Sequence, residues 1–186
     1  MRNARLGAGL LSITLAFTVT AMTAQPAVAA SAAEINREVD NALQIIYAKD
    51  PDARRLTNQA KAVIVFPNIV KAGFLFGAQY GDRAMRQKGK TVGYYNTVAA
   101  SYGLQAGVQV YGYALFFMTD SALTYLANSG GFEPGTGPSI VVLDTGAARA
   151  FTTTTLQSDM YAIFFDQRGL MAGLGIQGSK ISRIDK

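Results

Sequence analysis

The chain contains neither histidine nor cysteine. Without histidine it lacks the side chain that ordinarily serves as a general base near neutral pH. With both absent, Ser-His pairs, Cys-His pairs and most zinc sites are excluded. Disulfides are excluded too, so the core alone has to hold the fold. No loop clusters the acids that a calcium site needs. The Gly-Thr-Gly within residues 134–138 lacks the following lysine, preceding strand and following helix of a phosphate loop. Ser179 and Lys180 are adjacent in a strand-like stretch and so point to opposite faces, which removes a Ser-Lys pair. The carboxylates Asp82, Asp120, Asp144, Asp159 and Asp166 each fall where a cap or turn is expected, a common structural use of aspartate. The expectation is a protein with no enzymatic activity, no cofactor and no metal.

What is present begins with a targeting segment. Arg2 and Arg5 precede an apolar run at 10–19, and Ala27-Val28-Ala29 supplies small residues for cleavage. A membrane span needs about 20 residues, and this run is shorter. Residues 1–29 therefore read as a signal peptide, and a periplasmic or secreted mature chain starts near Ala30. Its loss lowers the net charge from +5 to +3, which neither demands nor forbids an anionic partner. The remaining length suits one domain, with no interdomain linker and no internal repeat.

Residues 30–60 read as a helical segment. Ser31 and Glu34 form a capping box, and Ile35, Val39, Leu43 and Ile46 make one apolar stripe. The opposite face is net acidic, unlike the basic face of interfacial helices, so the stripe is expected to pack on the protein's own sheet. Asp50-Pro51 starts a second helix. Residues 63–66 form a short β-branched run that Pro67 stops or places at an edge. Residues 81–90 read as a polar hairpin loop carrying Arg83, Arg86, Lys88 and Lys90. Thr119 and Asp120 start a short helix that Gly130-Gly131 end. Short strands are expected at 140–143, 151–155, 161–165, 170–177 and the C-terminus, with a turn at 167–169.

The clearest stretch is 91–119. From Leu104 onward alternate residues are apolar (Leu104, Ala106, Val108, Val110, Ala114, Phe116, Met118), which predicts a long strand with its even-numbered side chains inward. Leu115 and Phe117 add a second apolar face, so its far end is expected to be covered on both sides. A bend near 101–103 would join it to a preceding antiparallel strand. Tyr94, Tyr95, Tyr102, Tyr111 and Tyr113 suit a stacking platform or half-buried sheet positions, and the strand spacing favours the sheet.

Residues 61–184 resemble the SYLF domain along nearly their whole length. The resemblance is carried by AKAVIVFPNIVKAGFLFGAQYG, GKTVGYYNTVAASYGLQAGVQ, LFFMTDSAL and RGLMAGLGIQGSKISRI. It implies binding of acidic lipids, with actin as a further ligand of some eukaryotic relatives, and no enzymatic activity. Together with the residue reading it gives an α+β fold, its N-terminal helices packed on a strongly curved, mainly antiparallel sheet, with barrel-like closure left open. Residues 61–186 form the SYLF-like domain. The expected ligand is an anionic phospholipid head group or membrane surface. An envelope protein-interaction module with a tyrosine-rich contact face is the alternative. Nucleic acid is not expected, and actin only on delivery to a host. The candidate lipid-binding residues are Lys61, Lys71, Arg83, Arg86, Lys88, Lys90, Lys180 and Arg183.

Overall fold

The computed structural model describes residues 30–73, 76–102, 107–134, 136–143, 158–169 and 179–186. The signal peptide and the strands expected at 151–155 and 170–177 lie outside them. Ser31 accepts a hydrogen bond from the Glu34 amide at 3.2 Å and starts α1 (Ala32–Lys49). Ile35, Val39, Ala42 and Ile46 are buried and pack on Val63, Val65, Ala114, Phe116 and Ile163. The apolar stripe is thus used on the protein's own sheet. Helix α2 (Pro51–Gln59) follows at once, with proline at its first position, where no amide partner is lost.

The sheet contains β1 (Ala62–Gly73), β2 (Phe76–Gln87), β3 (Lys90–Tyr102), β4 (Gly107–Phe117), β5 (Ile140–Leu143), β6 (Met160–Gly169) and β7 (Ser179–Ile184). Their spatial order is β5-β6-β4-β1-β2-β3-β7, antiparallel throughout except for β5 against β6. The fold is α+β, a mixed, strongly curled half-barrel preceded by two helices. One core cluster draws side chains from six strands, including Met85, Tyr95, Tyr113, Phe164 and Ile181, and so marks the inside of the curl. Helix α3 (Asp120–Asn128) and Phe132 close that inner core, while α1 and α2 cover the outer face. Thr119 caps α3 by accepting from the Ala122 amide at 3.3 Å. Gly130 and Gly131, with φ of 60° and 144°, then turn the chain away from the helix.

Several sequence expectations are corrected here. Pro67 neither ends β1 nor sits at an edge. It lies in a bulge of a central strand, where the pairing skips from Phe66 to Ile69 on one side and from Val65 to Val70 on the other. The missing amide falls where the ladder is already interrupted. Strands β3 and β4 run antiparallel but are not neighbours, because β1 and β2 lie between them. Residues 167–169 continue β6 instead of turning.

The even-face reading of 104–118 also fails in part. In β4 the inner core takes Tyr111, Tyr113, Leu115 and Phe117, whereas Val108 is 57% exposed. Ala114 and Phe116 are buried only because α1 covers them. The expectation that the far end is covered on both faces does hold.

Candidate functional site

The eight candidate cations fall into three groups. Arg83 and Arg86 belong to the fold. Strand β2 runs to Gln87 and β3 begins at Lys90, so residues 81–90 form no long loop. The hairpin turns on Lys88-Gly89 alone, with φ of 48° and 77°, the left-handed pair that a two-residue turn requires. Arg83 is therefore a strand residue and is 4% exposed. Its guanidinium donates to the backbone oxygens of Asp82 and Asn68, stapling β2 to the β1 bulge. It also stands 5.8 Å from the Phe66 ring centroid.

Burial pulls the Arg83 pKa down to about 10, against the opposing charges of Tyr113, Glu38 and Asp82, so the group stays charged at neutral pH. A Cβ at Gly81 would run into the Arg83 guanidinium, so that position has no room for a side chain. Arg86 bonds Asp40 at 2.6 Å, the Asn36 oxygen at 3.1 Å and Thr91 at 2.6 Å, tying α1 to the hairpin.

The second group lies at the hairpin end of the sheet. Lys61, Lys88 and Lys90 line a cleft of about 450 Å³ with Gln87, Val92, Asp120 and Leu123. Lys61 pairs with Asp120 at 3.1 Å, but both are exposed, so the pair contributes no more than about 1 kcal/mol. Arg183 lines a neighbouring cleft of about 320 Å³ that shares Val92. The third group, Lys71 and Lys180, lies near the opposite ends of the strands, paired with Gln79 and with Val98 respectively. The expected site is thus divided between the two ends of the half-barrel.

Four of the five candidate carboxylates have structural partners, and Asp144 lies outside the described residues. Asp120 pairs with Lys61, and Asp166 pairs with Lys49 at 2.9 Å and Arg168 at 3.1 Å. Asp159 accepts from the Ser139 amide at 3.0 Å, the Ser139 hydroxyl at 2.9 Å and Thr119 at 3.0 Å; these bonds hold its pKa below the usual carboxylate value. Asp82, expected in a turn, is instead a buried strand residue paired with Lys186 at 2.8 Å. Sequence spacing had no means of signalling that long-range pair. Tyr95, Tyr111 and Tyr113 are buried, and burial raises each hydroxyl pKa. They form core, with Tyr113 stacked on Phe66 at 4.3 Å, and offer no stacking platform.

Residues 98–186 match the family model Ysc84, described as Las17-binding protein actin regulator. No curated protein matches the chain.

Proposed function

The chain carries a Ysc84 (SYLF) domain over residues 98–186, and from that premise we propose that it is an exported, non-enzymatic protein that binds anionic lipid. The family consists of lipid- and actin-binding regulatory domains. Here the matched strands β4, β5, β6 and β7 form one sheet with β1, β2 and β3.

The observation that carries the reading is a surplus of unpaired cations. Among the described residues Lys71, Lys88, Lys90, Lys180 and Arg183 have no carboxylate partner, while Asp40, Asp82, Asp120 and Asp166 are each paired with a cation. Lysines and arginines without a carboxylate partner attract an anionic layer.

The strength of that attraction is limited. Each cation near an anionic membrane contributes about 1 kcal/mol, and the unpaired ones are divided between the two ends of the half-barrel, so those at either end together give no more than about 3. A dissociation constant of 1 mM already corresponds to about 4 kcal/mol, so charge alone leaves the protein largely free. Apolar contact has to supply the remainder.

Co-sedimentation with vesicles of equimolar phosphatidylglycerol and phosphatidylcholine, against vesicles of phosphatidylcholine alone, tests the reading. Binding to the anionic vesicles that weakens as salt is added is the expected result. Equal binding to both at every salt concentration, or binding to neither, contradicts it. Of the tyrosines considered for a contact face, Tyr95, Tyr111 and Tyr113 are inside the protein and Tyr94 is half-buried.

A further inference from the structure

The polarity of the sheet reverses along its strands. Near α3 it is ordinary: Leu115 and Phe117 fill the inside, and Ala114 and Phe116 lie under α1. Beyond the β1 bulge no described helix packs on the outer face. There the register aligns Lys180, Val98, Tyr80, Val70, Val110 and Arg168 in one row across six strands. Val98 is 50% exposed, Tyr80 57% and Val70 47%, and Val108, one step further along, is 57% exposed.

The inner face at this level is polar. Lys71, half-buried, pairs with Gln109, and Ser179 is buried. Gln109 is 5% exposed, and its Oε1 has no hydrogen-bond partner. Apolar outside and polar inside is the arrangement of a sheet whose outer face meets lipid, the reverse of one surrounded by water.

We propose that this end of the half-barrel docks into an anionic lipid membrane, with Val70, Tyr80, Val98 and Val108 in the acyl boundary and Lys71 and Lys180 facing head groups. The inference rests on the lipid reading and adds its location. Charge selects the occupant. Lys180 stands at one end of the outer row and Lys71 lies inside, neither with a carboxylate partner, while Arg168 at the other end is paired with Asp166. The two carboxylates that touch the row, Asp166 on Arg168 and Asp82 on Tyr80, are each also paired with a lysine, so the charges left for an occupant to meet are those of Lys180 and Lys71.

Geometry sets the depth. From Val70 to the end of β1 at Gly73 is three residue steps, about 10 Å of strand. That matches the roughly 5–10 Å reached by interfacial elements, and it is short of the roughly 9–11 residues that a spanning strand needs. Among the described strands the curled sheet is open, and unpaired backbone groups at its edges have to stay hydrated, which also confines it to the interface of one leaflet.

The chain has no tryptophan, so one introduced indole reports without background. Val98→Trp marks the proposed end. Val92→Trp, at a residue 43% exposed in the lysine cleft, marks the other. Each variant, prepared in the native host, is mixed with phosphatidylglycerol vesicles containing brominated acyl chains. The expected result is blue-shifted, quenched emission for Val98→Trp and unchanged emission for Val92→Trp. In unlabelled protein, replacing Val70, Val98 and Val108 by serine should weaken vesicle binding about a hundredfold.

Quenching of the Val92→Trp protein alone would assign docking to the hairpin end. Co-sedimentation without quenching of either would mean binding without insertion, and loss of a dimer in the serine variant would assign the face to a second copy. Each of those overturns the location and leaves lipid binding to stand or fall by co-sedimentation. No co-sedimentation of the unaltered protein overturns both.

Discussion

Lys186 Nζ lies 2.8 Å from Asp82 Oδ2 and donates to the Ala30 oxygen at 3.0 Å, so one buried carboxylate in β2 anchors the last residue, which in turn holds the first described one. Tyr80 adds a hydrogen bond to Asp82 at 2.7 Å. Burial alone would raise the Asp82 pKa. The bonds from Lys186 and Tyr80, with the charges of Lys186 and Arg83, outweigh it and hold the group below its usual 3.8.

A carboxylate depressed in the folded state contributes stability that is complete above its unfolded pKa and lost as pH falls through the folded value. Asp159 and Asp166 are shifted in the same direction. The denaturant midpoint should therefore hold steady down to about pH 4 and drop below it, less steeply in Asp82→Asn. Lys186→Ala should cost about 1–3 kcal/mol at neutral pH by leaving a buried carboxylate short of a partner. Urea titrations across pH check both, and identical profiles for the three proteins would refute the linkage.

Val108 and Ala114 lie on the same face of β4 in opposite surroundings. Val108 is 57% exposed, whereas Ala114 is fully buried under α1. Val108→Asp should change stability by no more than about 0.5 kcal/mol, as surface substitutions do. Ala114→Asp should cost about 3–5 kcal/mol or prevent folding, because its charge would have no partner. Circular dichroism and urea midpoints separate the two.

That pair also shows what the sequence could and could not express. Period-two alternation located β4, but a strand with apolar residues on both faces carries no label for the inner one. Tyr111 and Tyr113 read as the wetter side because a phenol is ambiguous, and in the fold they fill the core. The helices were legible because capping and stripe are local: Ser31 with Glu34, and Ile35, Val39 and Ile46. The hairpin was misjudged because Arg83 and Asp82 are charged, and composition gives no sign that the β1 bulge supplies carbonyls to one and Lys186 a cation to the other. The grouping of Lys61 with Lys88 and Lys90 depends on strand order, which no local pattern encodes.

Arg83 is a candidate ligand cation that the fold has claimed. Arg83→Ala removes two hydrogen bonds to carbonyls and opens a void beside Phe66, so a loss of about 2–4 kcal/mol is expected. Gly81→Ala should also destabilise, by about 1–3 kcal/mol, because its methyl group meets the guanidinium. In an Arg83→Ala background that second loss should disappear, since the obstructing group is gone. A double-mutant cycle by urea denaturation measures this, and simple additivity would show that the two residues do not interact.

The hairpin turn offers a way to separate charge from fold. Lys88 and Gly89 both have positive φ, a conformation in which lysine is strained and asparagine is at ease. Lys88→Asn should raise stability by about 0.5 kcal/mol while deleting one cation from the cleft that Lys61 and Lys90 share. If the opposite end of the sheet is the part that meets the membrane, vesicle affinity should stay the same in the stabilised protein. A cation that touches an anionic surface contributes about 1 kcal/mol, so a cleft that faced the membrane would instead lose about fivefold in affinity. Measuring the denaturation midpoint and the vesicle titration on the same preparation decides between them. A raised midpoint with unchanged binding fits docking through Val70, Tyr80 and Val98, and a raised midpoint with weakened binding places the lysine cleft against the lipid.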